Sequence, residues 1–290
     1  MLTTIFCHSD DFCKDFEKQF NRNFLTSGEN IRKKSFKLTL SEIVTISIFY
    51  HHSGYKTFKD YYEKYVLVHM CNDFKELVSY NRFLELRRNV LVPLIAFIQL
   101  NAMNKCTGIS FIDSFCLKVS HPKRIYSHKT FKHLASRGKT SVGWFYGFKL
   151  HLVINQYGEI ASFYITPGNI SDNNETVIVK LTKQILGKVF GDKGYLLNKD
   201  LFQKLYSKGI QFVTKIRKNM NNGLMNLYDK ILLQKRGIIE SVGAILKESL
   251  SLEHARHRSI PGFLVHIAST IAAYNFRPNN PSLCKKLAIS

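Results

Sequence analysis

The sequence has no hydrophobic run long enough to cross a bilayer, although 45% of its 290 residues are hydrophobic. Its longest apolar stretches, LVPLIAFIQL and PGFLVHIASTIAAY, fall short of the roughly 20 residues that a membrane helix needs. The first residues, MLTTIFCHSDDFCKD, reach acidic side chains before an apolar segment of signal-peptide length can form. We therefore expect no membrane partner and a cytoplasmic location.

The six cysteines lack the close CxxC spacing that is typical of zinc sites and redox motifs. Their scatter along the chain favours reduced thiols over a disulfide framework. Cys7, His8 and Cys13 lie near one another, but no second ligand pair follows at the spacing that zinc requires. We expect no structural zinc at this end.

Acidic residues are scarce in the second part of the chain. Residues 101–290 contain 28 Lys and Arg against 10 Asp and Glu, whereas residues 1–100 contain 14 against 11. Most of the formal net charge of +21 is therefore carried by residues 101–290. A field of this sign attracts polyanions, and nucleic acid is the partner that it favours.

The segment between Asp113 and Glu159 contains no acid at all. Tyr126, Phe131 and Trp144 are interleaved with its basic residues, and this combination suits phosphate neutralisation and base stacking. A solvated basic loop is the alternative. The eight basic residues are Lys118, Lys123, Arg124, Lys129, Lys132, Arg137, Lys139 and Lys149.

The first 104 residues have the pattern of helices. Thr39 and Glu42 form a possible capping box before an apolar run, and TFKDYYEKYV carries tyrosines at helical spacing. These features predict a helical N-terminal domain over 1–104. A DNA-binding domain of helix-turn-helix type and a packing or dimerisation domain are both compatible with it, and the tyrosines favour a core over a base-stacking platform.

The pattern changes to α/β after residue 104. GISFIDSFCLKV, GWFYGFKLHLVIN and EIASFYITPG predict three successive strands, and KVFGD and IQFVTKI predict two more that alternate with helices. This order is typical of a ribonuclease H-like mixed sheet flanked by helices. We predict this domain over 105–282, followed by a basic tail over 283–290.

Three acids occupy positions suited to metal chemistry. Asp113 closes the apolar run GISFID and Asp192 closes KVFGD, so both are expected where buried strands emerge. Glu240 lies on a predicted helix, RGIIESVGAILK. Buried carboxylates are costly unless they are paired or bind metal, so the three predict a divalent-cation site. Asp172 is the rival acid, but it precedes a predicted helix, where Asp usually acts as a cap.

The helix around Glu240 has one polar face. Arg236 lies four residues before Glu240 and Lys247 seven after it, so a helical wheel places all three together, beside Gly243 and Ala244. We expect the two basic side chains to hold phosphate, and the two small residues to leave room for a DNA backbone. An ordinary Arg–Glu surface pair is the alternative. Ile238, Val242 and Ile245 are expected to face the core.

The segment that follows this helix is predicted to add phosphate contacts. The four residues concerned are His254, Arg256, His257 and Arg258. They lie in the segment HARHRS. Metal binding by His254 with Glu253 is less favoured, because the neighbouring arginines repel cations.

Because it contains these residues, the sequence resembles those of bacterial insertion-sequence transposases of the DDE class. Asp113, Asp192 and Glu240 match the three catalytic acids, and Arg236 and Lys247 complete an Arg-Glu-Lys signature around Glu240. The blocks FIDS, RGKTSVGWFYGFKLHLVIN, TPGN, GDKGY, KRGIIE and HARHRS are most similar to insertion-sequence family 982. The resemblance spans roughly residues 105–282.

The resemblance implies a DNA transposase. Its three acids would hold two Mg²⁺ ions, with Mn²⁺ as a substitute, to cut the element's ends and transfer the freed 3′-hydroxyl into target DNA. Its partners would be double-stranded terminal repeats and target DNA, bound by a homo-oligomer associated with the nucleoid. Two alternatives stay open, which are a metal-dependent nuclease or resolvase, and a non-catalytic DNA-binding relic of a transposase.

Overall fold

The computed structural model describes residues 1–27, 37–74, 76–102, 106–140, 143–215, 225–253 and 257–283. It divides into two compact units. The first unit comprises Met1–Ala102 and Leu246–Arg277, and the second comprises Met103–Ile245 and Pro278–Ser290. Residues 246–277, which the sequence placed with the α/β domain, are therefore grouped with the N-terminal helices.

The elements described in the first unit are helical. Its α-helices are α1 (Leu2–Ser27), α2 (Leu40–Phe49), α3 (Phe58–Tyr61), α4 (Leu67–His69), α5 (Tyr80–Arg88), α6 (Leu91–Phe97) and α11 (Ile260–Asn275). Shorter helical turns occupy Tyr50–His52, Tyr62–Val66 and Ile98–Ala102, and another, Ile245–Ser249, begins at the unit boundary. The predicted capping box at the start of α2 is confirmed, since Thr39 and Glu42 bond each other's backbone N–H groups.

The core of the first unit forms around α11, which packs against α2, α5 and α6. Residues Val265 to Tyr274 of α11 are all buried, so this helix is surrounded by the protein on every side. Tyr61 and Tyr62 are fully buried as well. Tyr61 and Tyr62 therefore belong to the core, as the sequence favoured, whereas Tyr65 is half-buried.

The second unit contains a six-stranded mixed sheet. Its strands are β1 (Ile109–Ser120), β2 (Ser136–Thr140), β3 (Gly143–Asn155), β4 (Ile160–Pro167), β5 (Gly187–Gly191) and β6 (Ile210–Thr214). The order is β2-β3-β1-β5-β6, and β4 also pairs with β3. β3 is antiparallel to β1, β2 and β4, whereas β5 is parallel to β1 and β6.

Two strands share one edge of β3. β2 pairs with Gly143–Gly147 and β4 pairs with the following residues, Phe148 to Ile154. The sequence predicted five of the six strands but not β2, whose residues SRGKT carry no alternation of apolar side chains. β2 forms because the long strand β3 extends beyond β4 and offers unpaired backbone groups.

Helices flank this sheet on both faces, as the α/β prediction required. α7 (Glu175–Leu181) and α8 (Lys199–Tyr206) form a core with Ile112 and Val189. α9 (Leu227–Gln234) and α10 (Gly237–Ala244) lie on the other face, where Lys188 bonds Asp229 of α9. Short turns occupy Pro122–Arg124 and Lys193–Tyr195. Among the described residues of both units, no helix is both long and apolar enough to span a membrane.

Candidate active site

Asp113 and Glu240 converge on one arginine. Arg236 Nη1 donates to Asp113 Oδ2 at 3.0 Å, and Arg236 Nη2 donates to Glu240 Oε1 at 2.9 Å. The exposed fraction of the side chain is 12% for Arg236, 21% for Asp113 and 62% for Glu240. The i,i+4 Arg–Glu pair, which was the alternative interpretation, therefore exists, but Arg236 also bonds Asp113. Asp113 lies within β1 and not where the strand emerges, as the sequence had predicted, because β1 continues to Ser120.

The electrostatics of Asp113 reflect its burial. Loss of water raises the pKa of this carboxyl, and the nearby Glu240 raises it further. The Ser114 amide, which donates to Oδ1 at 2.8 Å, and the Arg236 guanidinium act in the opposite direction. A carboxylate that burial disfavours gains from any cation placed beside it.

Asp192 lies at the end of β5, beside β1. Its backbone carbonyl accepts the Tyr195 amide at 2.9 Å, which forms the short turn Lys193–Tyr195. The Tyr195 ring is buried, and burial raises the pKa of its hydroxyl well above the ordinary value. The negative charges of Asp172 and Asp113 raise that pKa further. The turn that follows Asp192 is therefore close enough to both carboxylates for their charges to act on Tyr195.

Asp172 is not the helix cap that the sequence favoured. The cap of α7 is Asn174, whose side chain accepts from the Val177 amide. Asp172 Oδ1 instead accepts from Ser114 Oγ at 2.9 Å and from Lys149 Nζ at 3.0 Å. The sequence did carry a signal for this arrangement, since a lysine inside the apolar strand GFKLHL needs a buried acidic partner.

Lys149 therefore lies inside the protein. Its side chain is 14% exposed, and Nζ donates to the Ile170 carbonyl at 2.9 Å as well as to Asp172. The phosphate contact predicted for Lys149 is therefore not supported, because its ammonium group is already bonded inside the protein.

The α10 helix has most of the predicted buried side and part of the predicted open one, because Ile245 is half-buried and Ala244 is exposed. Ile238 and Val242 are buried, as expected. Gly243 does not leave room for DNA, because a Cβ added there would lie 2.2 Å from Cε1 of the Phe115 ring on β1. The missing side chain brings α10 close to the strand that carries Asp113. Lys247 falls in the first unit, where Nζ pairs with Glu253 at 2.9 Å.

The predicted basic residues near β2 are exposed. Lys129, Lys132, Arg137 and Lys139 all face solvent. The Lys139 ammonium lies 5.7 Å from the centre of the Trp144 ring, and the Arg137 guanidinium 6.0 Å from that of Tyr126. We name the following six residues the basic–aromatic surface: Tyr126, Lys129, Lys132, Arg137, Lys139 and Trp144. Phe131, predicted with them, is buried and stacks on His128, so it belongs to the core.

Two of the four predicted contacts after Glu240, His254 and Arg256, lie outside the described residues. Arg258 is exposed. The His257 ring lies 4.8 Å from that of His266 and 5.5 Å from that of Phe263, measured between centroids. Burial lowers the pKa of His257 to about 2, so it is neutral and offers no charge to a phosphate.

The donor atoms of the site are hard carboxylate oxygens, which suit Mg²⁺ and Mn²⁺. Asp113 and Glu240 already share one cationic group, so their carboxylates are close enough to hold a common positive charge. Within the described ranges, no three His, Cys, Asp or Glu side chains are grouped closely enough to form a complete metal site. Two of the three predicted acids are thus brought together around Arg236.

Comparison with known proteins identifies the class. A family model described as a transposase DDE domain matches residues 103–260, which is more than half of the chain. The chain therefore belongs to the transposase DDE domain family. No curated protein matches it. Membership implies a nuclease or transferase enzyme with DNA as its partner, and domains of this family generally use divalent metal ions.

Proposed function

We propose that this protein is a DNA transposase that cleaves the ends of an insertion sequence and joins them to target DNA. The observation that carries the proposal is the convergence of Asp113 and Glu240 on Arg236 inside the matched transposase domain. Asp192, at the end of the strand beside β1, would be the third acid. The mixed sheet and its flanking helices support a ribonuclease H-like fold for the second unit.

In the reaction, divalent cations, two Mg²⁺ ions or Mn²⁺ in their place, would stabilise charge on the attacking and leaving oxygens. Asp113, Asp192 and Glu240 would hold them through carboxylate oxygens. A water oxygen attacks phosphorus at the element's end, and the bond to the 3′ oxygen breaks to leave a 3′-hydroxyl and a 5′-phosphate. That hydroxyl then attacks a phosphodiester of the target, and the target's own 3′ oxygen leaves.

The basic residues would bind and orient the DNA. Once cations neutralise Asp113 and Glu240, Arg236 would be released to contact a phosphate oxygen beside the reacting one. The basic–aromatic surface would bind the flanking backbone and stack on exposed bases, since its charges and rings are solvent-accessible. Lys247 and Arg258 are further proposed phosphate contacts.

We further propose that the protein belongs to insertion-sequence family 982, because its sequence blocks resemble those of that family. We also propose that the protein acts as a homo-oligomer at the nucleoid. The N-terminal helices would bind DNA or another subunit.

The test combines a cleavage assay with a strand-transfer assay on DNA that carries the terminal repeats flanking the gene. Asp113→Asn, Asp192→Asn and Glu240→Gln should each lower Mg²⁺-dependent cleavage at least about 100-fold, since metal-assisted charge stabilisation is worth several kcal/mol. DNA affinity should be retained. Asp200→Asn, an exposed acid on α8, is the matched control.

The outcomes separate three functions. Cleavage with joining of 3′ ends supports a transposase. Cleavage without joining would identify a nuclease or resolvase. DNA binding without Mg²⁺-dependent cleavage in the wild-type protein would identify a non-catalytic relic. Normal activity in any one acid variant would remove that residue from the active site.

A further inference from the structure

Asp172 connects the two segments that carry the first two acids. Through Oδ1 it accepts from the hydroxyl of Ser114, the residue that follows Asp113 on β1. The same oxygen accepts from the Lys149 ammonium on β3, and Lys149 is also bonded to the Ile170 carbonyl. Asp172 thus ties the turn after β4 to both strands of the antiparallel pair at the sheet centre.

The second carboxylate oxygen lies against the turn that follows Asp192. A Cβ added to Gly194 would lie 3.5 Å from Asp172 Oδ2, so this carboxylate oxygen lies next to the turn. The next residue, Tyr195, is buried, and the charges of Asp172 and Asp113 both act on its hydroxyl. Asp172 therefore borders the Asp113 segment and the Asp192 segment together.

Asp172 acts from the face of β1 opposite Asp113. Successive side chains of a strand point to opposite faces. Phe115 shares the face of Asp113 and packs on α10, whereas Ile112 shares the face of Ser114 and packs with α7 and α8. The bond from Ser114 to Asp172 thus secures β1 directly behind Asp113.

We propose that Asp172 is a positioning residue of the catalytic centre: it braces β1 at Ser114 and supports the Gly194 turn, so that Asp113 and Asp192 keep their spacing. This inference rests on the proposed function, because it assigns Asp172 to the same metal-dependent site. Groups that orient metal ligands without touching the metal typically change metal affinity or activity about 10- to 100-fold when they are replaced.

A second buried ion pair in the same unit supplies the matched control. Asp229 of α9 accepts from Lys188 Nζ at 2.7 Å and is 6% exposed. Asp229→Asn removes an acid that is less exposed, 9% of its side chain against 27% for Asp172, and that pairs with Lys188 on β5 instead of with Ser114 and Lys149. If Asp172 were an ordinary stabilising pair, the two variants should behave alike.

The first measurement is hydrogen exchange on the metal-free full-length protein. Asp172→Asn should increase the exchange of amides in β1 near Ser114 and in the Lys193–Tyr195 turn, whereas Asp229→Asn should leave both segments unchanged. The second measurement is Mn²⁺ binding by calorimetry without DNA. Asp172→Asn should weaken it about 10-fold or more, and Asp172→Glu should restore part of the affinity.

The outcomes separate this inference from the proposed function. Wild-type exchange in both segments, or Mn²⁺ affinity unchanged in Asp172→Asn, would overturn the positioning role. Equal losses in Asp172→Asn and Asp229→Asn would overturn it too, because a general loss of stability would then explain both. Unchanged Mn²⁺ affinity in Asp113→Asn would instead overturn the proposed metal site, and with it the role of Asp172 there.

Discussion

Arg236 and Asp113 are 123 positions apart in the chain and are joined by a hydrogen bond of 3.0 Å between Nη1 and Oδ2. The same guanidinium bonds Glu240, so one arginine neutralises an acid on β1 and an acid on α10. A divalent cation placed between these carboxylates would compete with Arg236 for the same oxygens. Metal binding and the position of Arg236 are therefore expected to be linked.

Mn²⁺ should stabilise the Arg236→Ala variant more than it stabilises the wild-type protein. Without Mn²⁺, the variant should lose about 3 kcal/mol of stability, because a largely buried carboxylate loses its partner. With Mn²⁺ the loss should be smaller, since the cation replaces the guanidinium. Thermal melting with and without Mn²⁺ measures both values, and Arg137→Ala, at an exposed site, is the control.

A metal-induced rise in melting temperature that is no greater in Arg236→Ala than in the wild type would contradict this linkage. Cleavage should also fall in Arg236→Ala if the freed guanidinium holds phosphate. Normal cleavage together with stronger Mn²⁺ binding would limit Arg236 to its role as a counterion.

Gly243→Ala should destabilise the protein, although alanine normally favours a helix over glycine by about 1 kcal/mol. The reason is the Phe115 ring, which the new Cβ would meet at 2.2 Å. Gly237→Ala, at the start of the same helix, is the matched control, because nothing lies within 4 Å of its Cβ position. Chemical unfolding should give opposite signs for the two variants.

The double variant Gly243→Ala with Phe115→Leu tests the cause. Removal of the ring should recover part of the stability lost in Gly243→Ala. If Gly243→Ala were instead stable and only weakened DNA binding, the glycine would serve the DNA backbone, as its position on the helical wheel first indicated.

The sequence predicted much of the fold because its hydrophobic pattern is local. Strands such as GWFYGFKLHLVIN and the capping box at Thr39 are determined by residues within a few positions of each other. β2 was missed because it depends on pairing with β3 and has no pattern of its own. Gly243 was misassigned for the same reason, since its contact with Phe115 comes from a distant strand.

The candidate site was predicted in part. A helical wheel correctly joined Arg236 to Glu240, because that contact spans four residues. It could not reveal that Arg236 also reaches Asp113, or that Asp172 bonds Ser114 and Lys149, because these contacts depend on how the sheet is assembled. A charged side chain within an apolar strand, such as Lys149, was the available signal for a buried partner.

The basic–aromatic surface should bind DNA through counterion release. Lys129→Ala and Lys132→Ala should each reduce the slope of log affinity against log salt concentration by about 1, because each removes one phosphate contact. Lys204→Ala is the control, since that lysine lies on α8 and pairs with Glu175 at 3.0 Å. Unchanged slopes in both surface variants would mean that this surface does not contact the DNA backbone.

Trp144→Ala should affect single-stranded or distorted DNA more than intact duplex. Trp144 is 64% exposed, and stacking of a base on such a ring is worth roughly 1–3 kcal/mol. The salt dependence should stay at its wild-type value, since no charge is removed. Equal losses for paired and unpaired DNA would argue against base stacking.

The first unit contains a histidine cluster, formed by the buried His51 and His266 and the half-buried His257. The His51 and His266 rings lie 4.9 Å apart, and His51 Nδ1 bonds the Leu250 carbonyl at 2.7 Å. Burial lowers the pKa of His51 well below 6.5 and that of His266 to about 3. The buried Arg87 guanidinium lowers all three pKa values further, so the cluster stays neutral in the folded protein.

This cluster should make the first unit sensitive to acid. The unfolded histidines bind protons near pH 6.5 while the folded ones do not, so full stability is present above pH 6.5 and is lost as the pH falls towards 3. Each histidine should contribute about 1.4 kcal/mol per pH unit within that window. Urea unfolding between pH 8 and pH 5, followed by far-ultraviolet circular dichroism, measures the slope. His266→Gln should make it shallower, whereas His69→Gln, at an exposed position on α4, should leave it unchanged. A slope equal in wild type and His266→Gln would mean that His266 binds its proton in the folded state, contrary to its burial.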